Sequence, residues 1–134
     1  MFDKNSMSNQ ILTAFNDHFM EFVNDIISVF PNEPDILAAK NSFALIRKAN
    51  PKMIIKIWGM CVVNKYADVI DQGDIGFFIN KDYKEDLVKA DNSERIVDAI
   101  DRLRNPVKMM STEDQAKSMK YIQNLKKLCI LYQQ

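Results

Sequence analysis

Apolar positions return every three or four residues along most of this chain, and the breaks in that rhythm divide it into five long amphipathic segments. From about Ser8 to Phe30 the apolar set is Ile11, Leu12, Phe15, Phe19, Phe22, Val23, Ile26, Val29 and Phe30, with Asp17, Glu21, Asn24 and Asp25 between them. Pro31 to Pro34 ends this first helix. A second helix, to about Ala49, is expected to bury Ile36, Leu37, Phe43, Leu45 and Ile46. Asn50-Pro51 then forces a corner and opens a third helix. An Asn side chain at a helix start accepts an otherwise unpaired amide, and proline at the first helical position has no N–H to leave unpaired. The stretch 51–70 carries Ile54, Ile57, Trp58, Cys61, Val62, Tyr66 and Val69, broadened by Ile55 and Val63. So wide a stripe, holding the only tryptophan, predicts a central helix with neighbours on several sides.

Gly73 is the natural stop of that helix. The segment from Gly73 to Tyr83 is the least regular, with two glycines and the adjacent Phe77 and Phe78, and it predicts a tight turn and a short helical piece. Asn92 or Ser93 caps a fourth long helix through Ile96, Val97, Ile100 and Leu103, which Asn105-Pro106 is expected to end. Ser111 or Thr112 opens the last one, with Met119, Ile122, Leu125, Cys129 and Tyr132 on one face. The expected fold is therefore all-α: a single-domain bundle of about five helices around the Trp-bearing helix 51–70. Residues 1–10 are polar and read as an N-terminal arm ahead of one helical domain, 11–134.

Bulk composition adds limits. The 134 residues are enough for one core without a staple, and 47% apolar with 27% charged residues is ordinary for a globular protein. Only three glycines leave little material for hairpins. Cys61 and Cys129 each fall on an apolar helix face, as buried thiols in a reducing compartment would. Asp3, Lys4 and Asn5 interrupt any leader-like apolar run, and no stretch has membrane-spanning length. An intracellular, soluble protein is the expectation.

Charge changes the picture more. The formal net charge is zero, but residues 1–46 hold two bases and six acids, 47–66 five bases and no acid, 67–101 four bases and ten acids, and 102–134 seven bases and two acids. Such blocks either solvate helix faces or make complementary surfaces in an assembly. The two basic blocks, 47–66 and 102–127, also raise nucleic-acid binding, with Arg47, Lys48, Lys52, Lys56, Arg102, Arg104 and Lys108 as candidate phosphate contacts. That reading needs the blocks to converge on one face.

Candidate chemistry is sparse. His18 is the only histidine, and the cysteines lack a CxxC spacing, so no metal site of the usual composition is indicated. No serine or cysteine has a nucleophile's signature context. Gly73-x-x-Gly76 lacks the third glycine and the lysine of a phosphate-cradling loop. If Asp71 opened a calcium loop, Gly73 and Ile75 would stand where side-chain oxygens are required. No cofactor and no small-molecule ligand is indicated. Phe77, Phe78 and Tyr83 are the candidate partner-binding residues if exposed; the favoured reading makes the phenylalanines a plug that closes the core.

Phe19-Met20-Glu21-Phe22-Val23, Phe30-Pro31, Arg47-Lys48-Ala49-Asn50-Pro51-Lys52 and Gly73 to Tyr83 together resemble a family of small helical proteins of nucleocytoplasmic large DNA viruses of algae and protists. The resemblance covers roughly residues 11–90 and carries no catalytic or binding residue. It implies a viral origin and a host-cytoplasm or virion setting. The expected function is that of a non-enzymatic viral structural or interaction protein, working through a protein partner or self-assembly; the alternative is a nucleic-acid-associated accessory protein.

Overall fold

The computed structural model describes residues 4–80 and 93–133, and among them the chain is all-α, as expected. Helix α1 is Lys4–Val29 and α2 is Pro34–Ala49. The central rod is α3, Met53–Trp58, then a π-turn, Gly59–Val63, then α4, Asn64–Gln72, with no loop between them. A short α5, Ile75–Asn80, precedes α6, Ser93–Lys108, and α7, Thr112–Gln133. With the rod counted once, this is the expected set of five long helices and one short piece.

The boundary signals act as their chemistry requires. At the first corner Asn50 serves two helices. Its N–H closes α2 on the Ile46 carbonyl at 2.8 Å, while its side-chain oxygen accepts from the Lys52 N–H at 3.2 Å and its carbonyl from the Met53 N–H at 3.1 Å. The cap is therefore present, and the tight turn after it delays regular α geometry to Met53. Gly73 takes a left-handed φ of 72°. Its N–H reaches the Ile70 carbonyl at 3.0 Å and the Asp74 N–H reaches Val69 at 3.4 Å, the paired bonds of a Schellman stop. Ser111 caps α7 by accepting the Asp114 N–H at 3.1 Å.

Four expectations change. Residues 4–10, assigned to a polar arm, are the opening turns of α1. Asn105-Pro106 does not end α6: Pro106 sits in its last turn, and the helix runs to Lys108. That end is capped from α7, where the Gln115 side-chain amide donates to the carbonyls of Val107 and Lys108 at 3.1 and 3.2 Å. On α2 the buried positions are Ile36, Ala39, Phe43 and Ile46, a narrow stripe, whereas Leu37 and Leu45 are exposed, the latter by 60%. The fourth change is one of register in the rod. Ile54, Ile55, Ile57, Trp58, Val62 and Val63 are buried, but beyond them the buried position is Ile70, and Val69 is only half-buried. A π-turn adds a residue to the helical circuit, and Tyr66 breaks the helix locally at φ −127°, ψ 26°. Together they turn the stripe.

Gly59 opens the π-turn where the rod meets α7. A methyl group there would come within 3.0 Å of Cys129 Sγ, and the Cys129 thiol sits 3.8 Å from the Ile55 carbonyl. The core built on the rod takes Phe15, Phe19, Val23 and Ile26 from α1, Ile36 and Phe43 from α2, and Leu125 from α7. Trp58 meets the Phe19 ring edge-on at 5.6 Å.

Candidate functional site

Of the three candidate partner-binding residues, Phe78 is 6% exposed and lies in the core, so it is no docking residue. Phe77 is half-buried and packs its ring 5.0 Å from Tyr66 and 5.3 Å from Phe78. The pair plugs the core, as favoured. Tyr83 lies outside the described residues, as do the side chains of Cys61, Ile96, Val97 and Ile100.

The candidate phosphate contacts do not converge. Arg47 pairs with Asp17, Arg102 with Asp35 and Asp98, and Arg104 with Asp101. Lys48, Lys52, Lys56 and Lys108 are exposed. Arg102, on α6, reaches Asp35 at the start of α2 at 3.3 Å, and Phe30, Glu33, Asn105 and Met109 line the same groove. Lys48 lies near the other end of α2, roughly 20 Å from Asp35 at 1.5 Å per residue. Three of the seven cations thus face carboxylates, and Arg102 and Lys48 stand at opposite ends of α2.

A different face emerges from helices the local pattern could not join. His18, Glu21 and Asp25 line a groove with Lys117, Lys120 and Asn124, and the earlier α1 residues Ala14 and Asp17 line its continuation with the later α7 residues Lys127 and Leu128, so α1 and α7 pack antiparallel. On the α1 side, positions 7, 11, 14, 18, 21 and 25 share one face at alternating steps of four and three. Met7, Ile11 and Ala14 come first, and His18, Glu21 and Asp25 follow. On α7 the order is reversed in kind: Lys117, Lys120 and Asn124 precede Leu128 and Leu131. Antiparallel packing sets like against like in polarity. One end of the groove is apolar, with Met7 41% and Leu131 51% exposed; the other sets an acidic row beside a basic one.

Aromatic stacking fixes the groove floor. Tyr121 stacks on Phe22 at 5.2 Å and meets the His18 ring at a tilt of 39° and 4.9 Å, and His18 Nδ1 is 3.4 Å from Glu21. Partial burial raises the Tyr121 phenol above its ordinary pKa, and the carboxylates of Asp25 and Glu21 push it further the same way. Among the described residues no ion pair joins Glu21 or Asp25 to Lys117, Lys120 or Lys127. The two charged rows lie side by side, each facing outward.

Other chemistry is thin. Among the described residues no three His, Cys, Asp or Glu side chains gather as a metal-binding group, and no helix is long and apolar enough to cross a membrane. Burial pushes the Cys129 thiol up to about 11, away from a reactive thiolate. Compared with models of protein families, with curated proteins and with solved structures, the chain matches none.

Proposed function

We propose that this protein is a non-enzymatic interaction protein that works by pairing with a second copy of itself through the α1–α7 face. The observation that carries the reading is an acidic row beside a basic row that, among the described residues, no ion pair joins to each other, closed at one end by exposed Met7 and Leu131. A two-fold axis lying in that face parallel to the helices sets each acidic row on the partner's basic row and each apolar end on its counterpart. An in-plane axis across the helices would set each charged end on the partner's apolar end. Only the first arrangement is complementary, so the face encodes one geometry.

Its size is sufficient, though modest. Residues 7–25 of α1 span roughly 27 Å and two helices are about 18 Å wide, so each copy covers about 500 Å², near the lower bound for a specific interface. Each exposed ion pair adds at most about 1 kcal/mol, so the charges set register and rate while the apolar end supplies most of the affinity. The resemblance to a viral family supports a host-cytoplasm or virion setting for such an assembly.

Size-exclusion chromatography with light scattering, at low and moderate salt and with random-sequence duplex DNA, tests this. A species above the 15.5 kDa single chain that weakens with salt and ignores DNA is expected. A monomer that moves onto DNA at low salt would replace this reading with the nucleic-acid one.

A further inference from the structure

Helix α2 buries Ile36, Ala39, Phe43 and Ile46 and turns its opposite side outward. That outer side is not a plain solvated face. Leu37 is 42% exposed and Leu45 60%, and Asn41 lies midway between them, four residues from each along one line of the helix. Ala44 is exposed beside them. Charge closes the two ends. Glu33, at the N-cap, and Lys48, in the last turn, are both exposed, and among the described residues neither has an ion-pair partner, whereas Asp35 is held by Arg102 and Arg47 by Asp17.

We propose that α2 is a second self-association surface, on which the α2 of another copy lies antiparallel about a two-fold axis through Asn41. The axis crosses the helices at right angles, so positions equally far on either side of Asn41 meet. Leu37 then packs on Leu45 of the second copy, Asn41 on Asn41, and Glu33 comes beside Lys48. Two facing Asn amides donate to and accept from each other, and they fix the register: a slip of one turn sets Asn41 on a leucine and leaves its amide unpaired. Charge fixes the direction. Parallel packing would set Lys48 on Lys48 and Glu33 on Glu33, whereas antiparallel packing pairs opposite signs at both ends. The contact is small. From Glu33 to Lys48 the face runs roughly 23 Å and is about 10 Å wide, so each copy covers about 230 Å², well under a standard interface. It therefore forms in concentrated protein, where it joins single chains, or pairs made through α1 and α7, into larger assemblies, and it does not depend on that pairing.

Disulfide trapping in concentrated solution tests this, with substitutions at positions that are all exposed in the single chain. Asn41→Cys places one new thiol on the axis, within disulfide reach of its counterpart in the second copy. Lys48→Cys is the control, because antiparallel packing keeps its two copies about 20 Å apart. On a non-reducing denaturing gel, oxidised Asn41→Cys is expected to give a covalent dimer of two 15.5 kDa chains, about tenfold more than Lys48→Cys or the unaltered chain, whose Cys129 is buried. Adding Leu45→Glu to Asn41→Cys is expected to return linkage to the control level. Adding Leu131→Glu instead, on the α1–α7 face, is expected to leave it unchanged. Linkage of Asn41→Cys no greater than that of Lys48→Cys or of the unaltered chain, or its loss on adding Leu131→Glu, would overturn the proposal.

Discussion

The Asn16 side-chain amide donates to the Pro51 carbonyl at 2.9 Å, across 35 positions of sequence, and joins the middle of α1 to the corner where the central rod begins. Asn16 is 2% exposed on an otherwise apolar helix face, and this part-buried bond is what its amide gains there. Asn16→Leu removes the bond, and with it the buried Asn16 Oδ1 that has no partner among the described residues. The expected loss is about 0.5–1.5 kcal/mol in urea unfolding, with helical content unchanged by circular dichroism.

Gly73 can be tested apart from packing. A Cβ there would meet Gln123 Nε2 at 3.6 Å and Met119 Cγ at 4.0 Å, which is ordinary contact, so only the left-handed φ of 72° opposes a side chain. Gly73→Ala should cost about 1–2 kcal/mol, and Gly73→Asn clearly less, since Asn tolerates that conformation. Equal losses from both, measured by denaturant midpoint, would show that space rather than backbone sets the cost.

Cys129 links stability to alkaline pH. Its thiol holds a proton up to about 11 in the fold, against an ordinary value of 9.0. Unfolding therefore releases a proton between those values, so this contribution is complete below pH 9 and falls as pH rises toward 11, by at most about 3 kcal/mol. Cys129→Ala should flatten the decline of unfolding free energy over that window relative to the parent chain. Parallel pH profiles would contradict the assignment.

What the residue pattern revealed, and what it hid, divides along a physical line. Asn50, Gly73 and Ser111 act through bonds to their own near neighbours, so their roles were readable from local order. The α7 stripe, Met119, Ile122, Leu125 and Cys129, was readable because its partners cover one regular face. Leu37 and Leu45 were misplaced because apolarity alone does not say which side of α2 has a neighbour. The switch from Val69 to Ile70 came from a π-turn and the Tyr66 break, which no periodicity of 3.6 anticipates. The end of α6 lies beyond Pro106 and is capped by a donor eight positions from Val107, on another helix, which the local Asn105-Pro106 signal does not show. The α1–α7 face was half visible. Its acidic first block and basic last block stood out in the charge distribution, but only the antiparallel pairing of the chain's two ends brings them together.

At the apolar end of that face, Leu131→Glu should prevent pairing. Leu131 is 51% exposed in the single chain, so its folded stability should shift by less than about 0.5 kcal/mol. Sedimentation of the variant is expected to show the monomer across the concentration range in which the parent chain dimerises.

Mixing two charge-reversed chains tests the two-fold pairing most directly. Glu21 and Lys120 stand at one level of the groove, so the proposed axis sets each opposite the other residue of the partner. Glu21→Lys alone and Lys120→Glu alone each place like charges together at both symmetric contacts, and each should sediment as a monomer of 15.5 kDa. Their equimolar mixture restores opposite charges at both contacts, and a heterodimer of the two is the expected result. If the mixture stays monomeric while the unaltered chain dimerises, or if either variant pairs as well as the unaltered chain, the α1–α7 face is not where this protein associates.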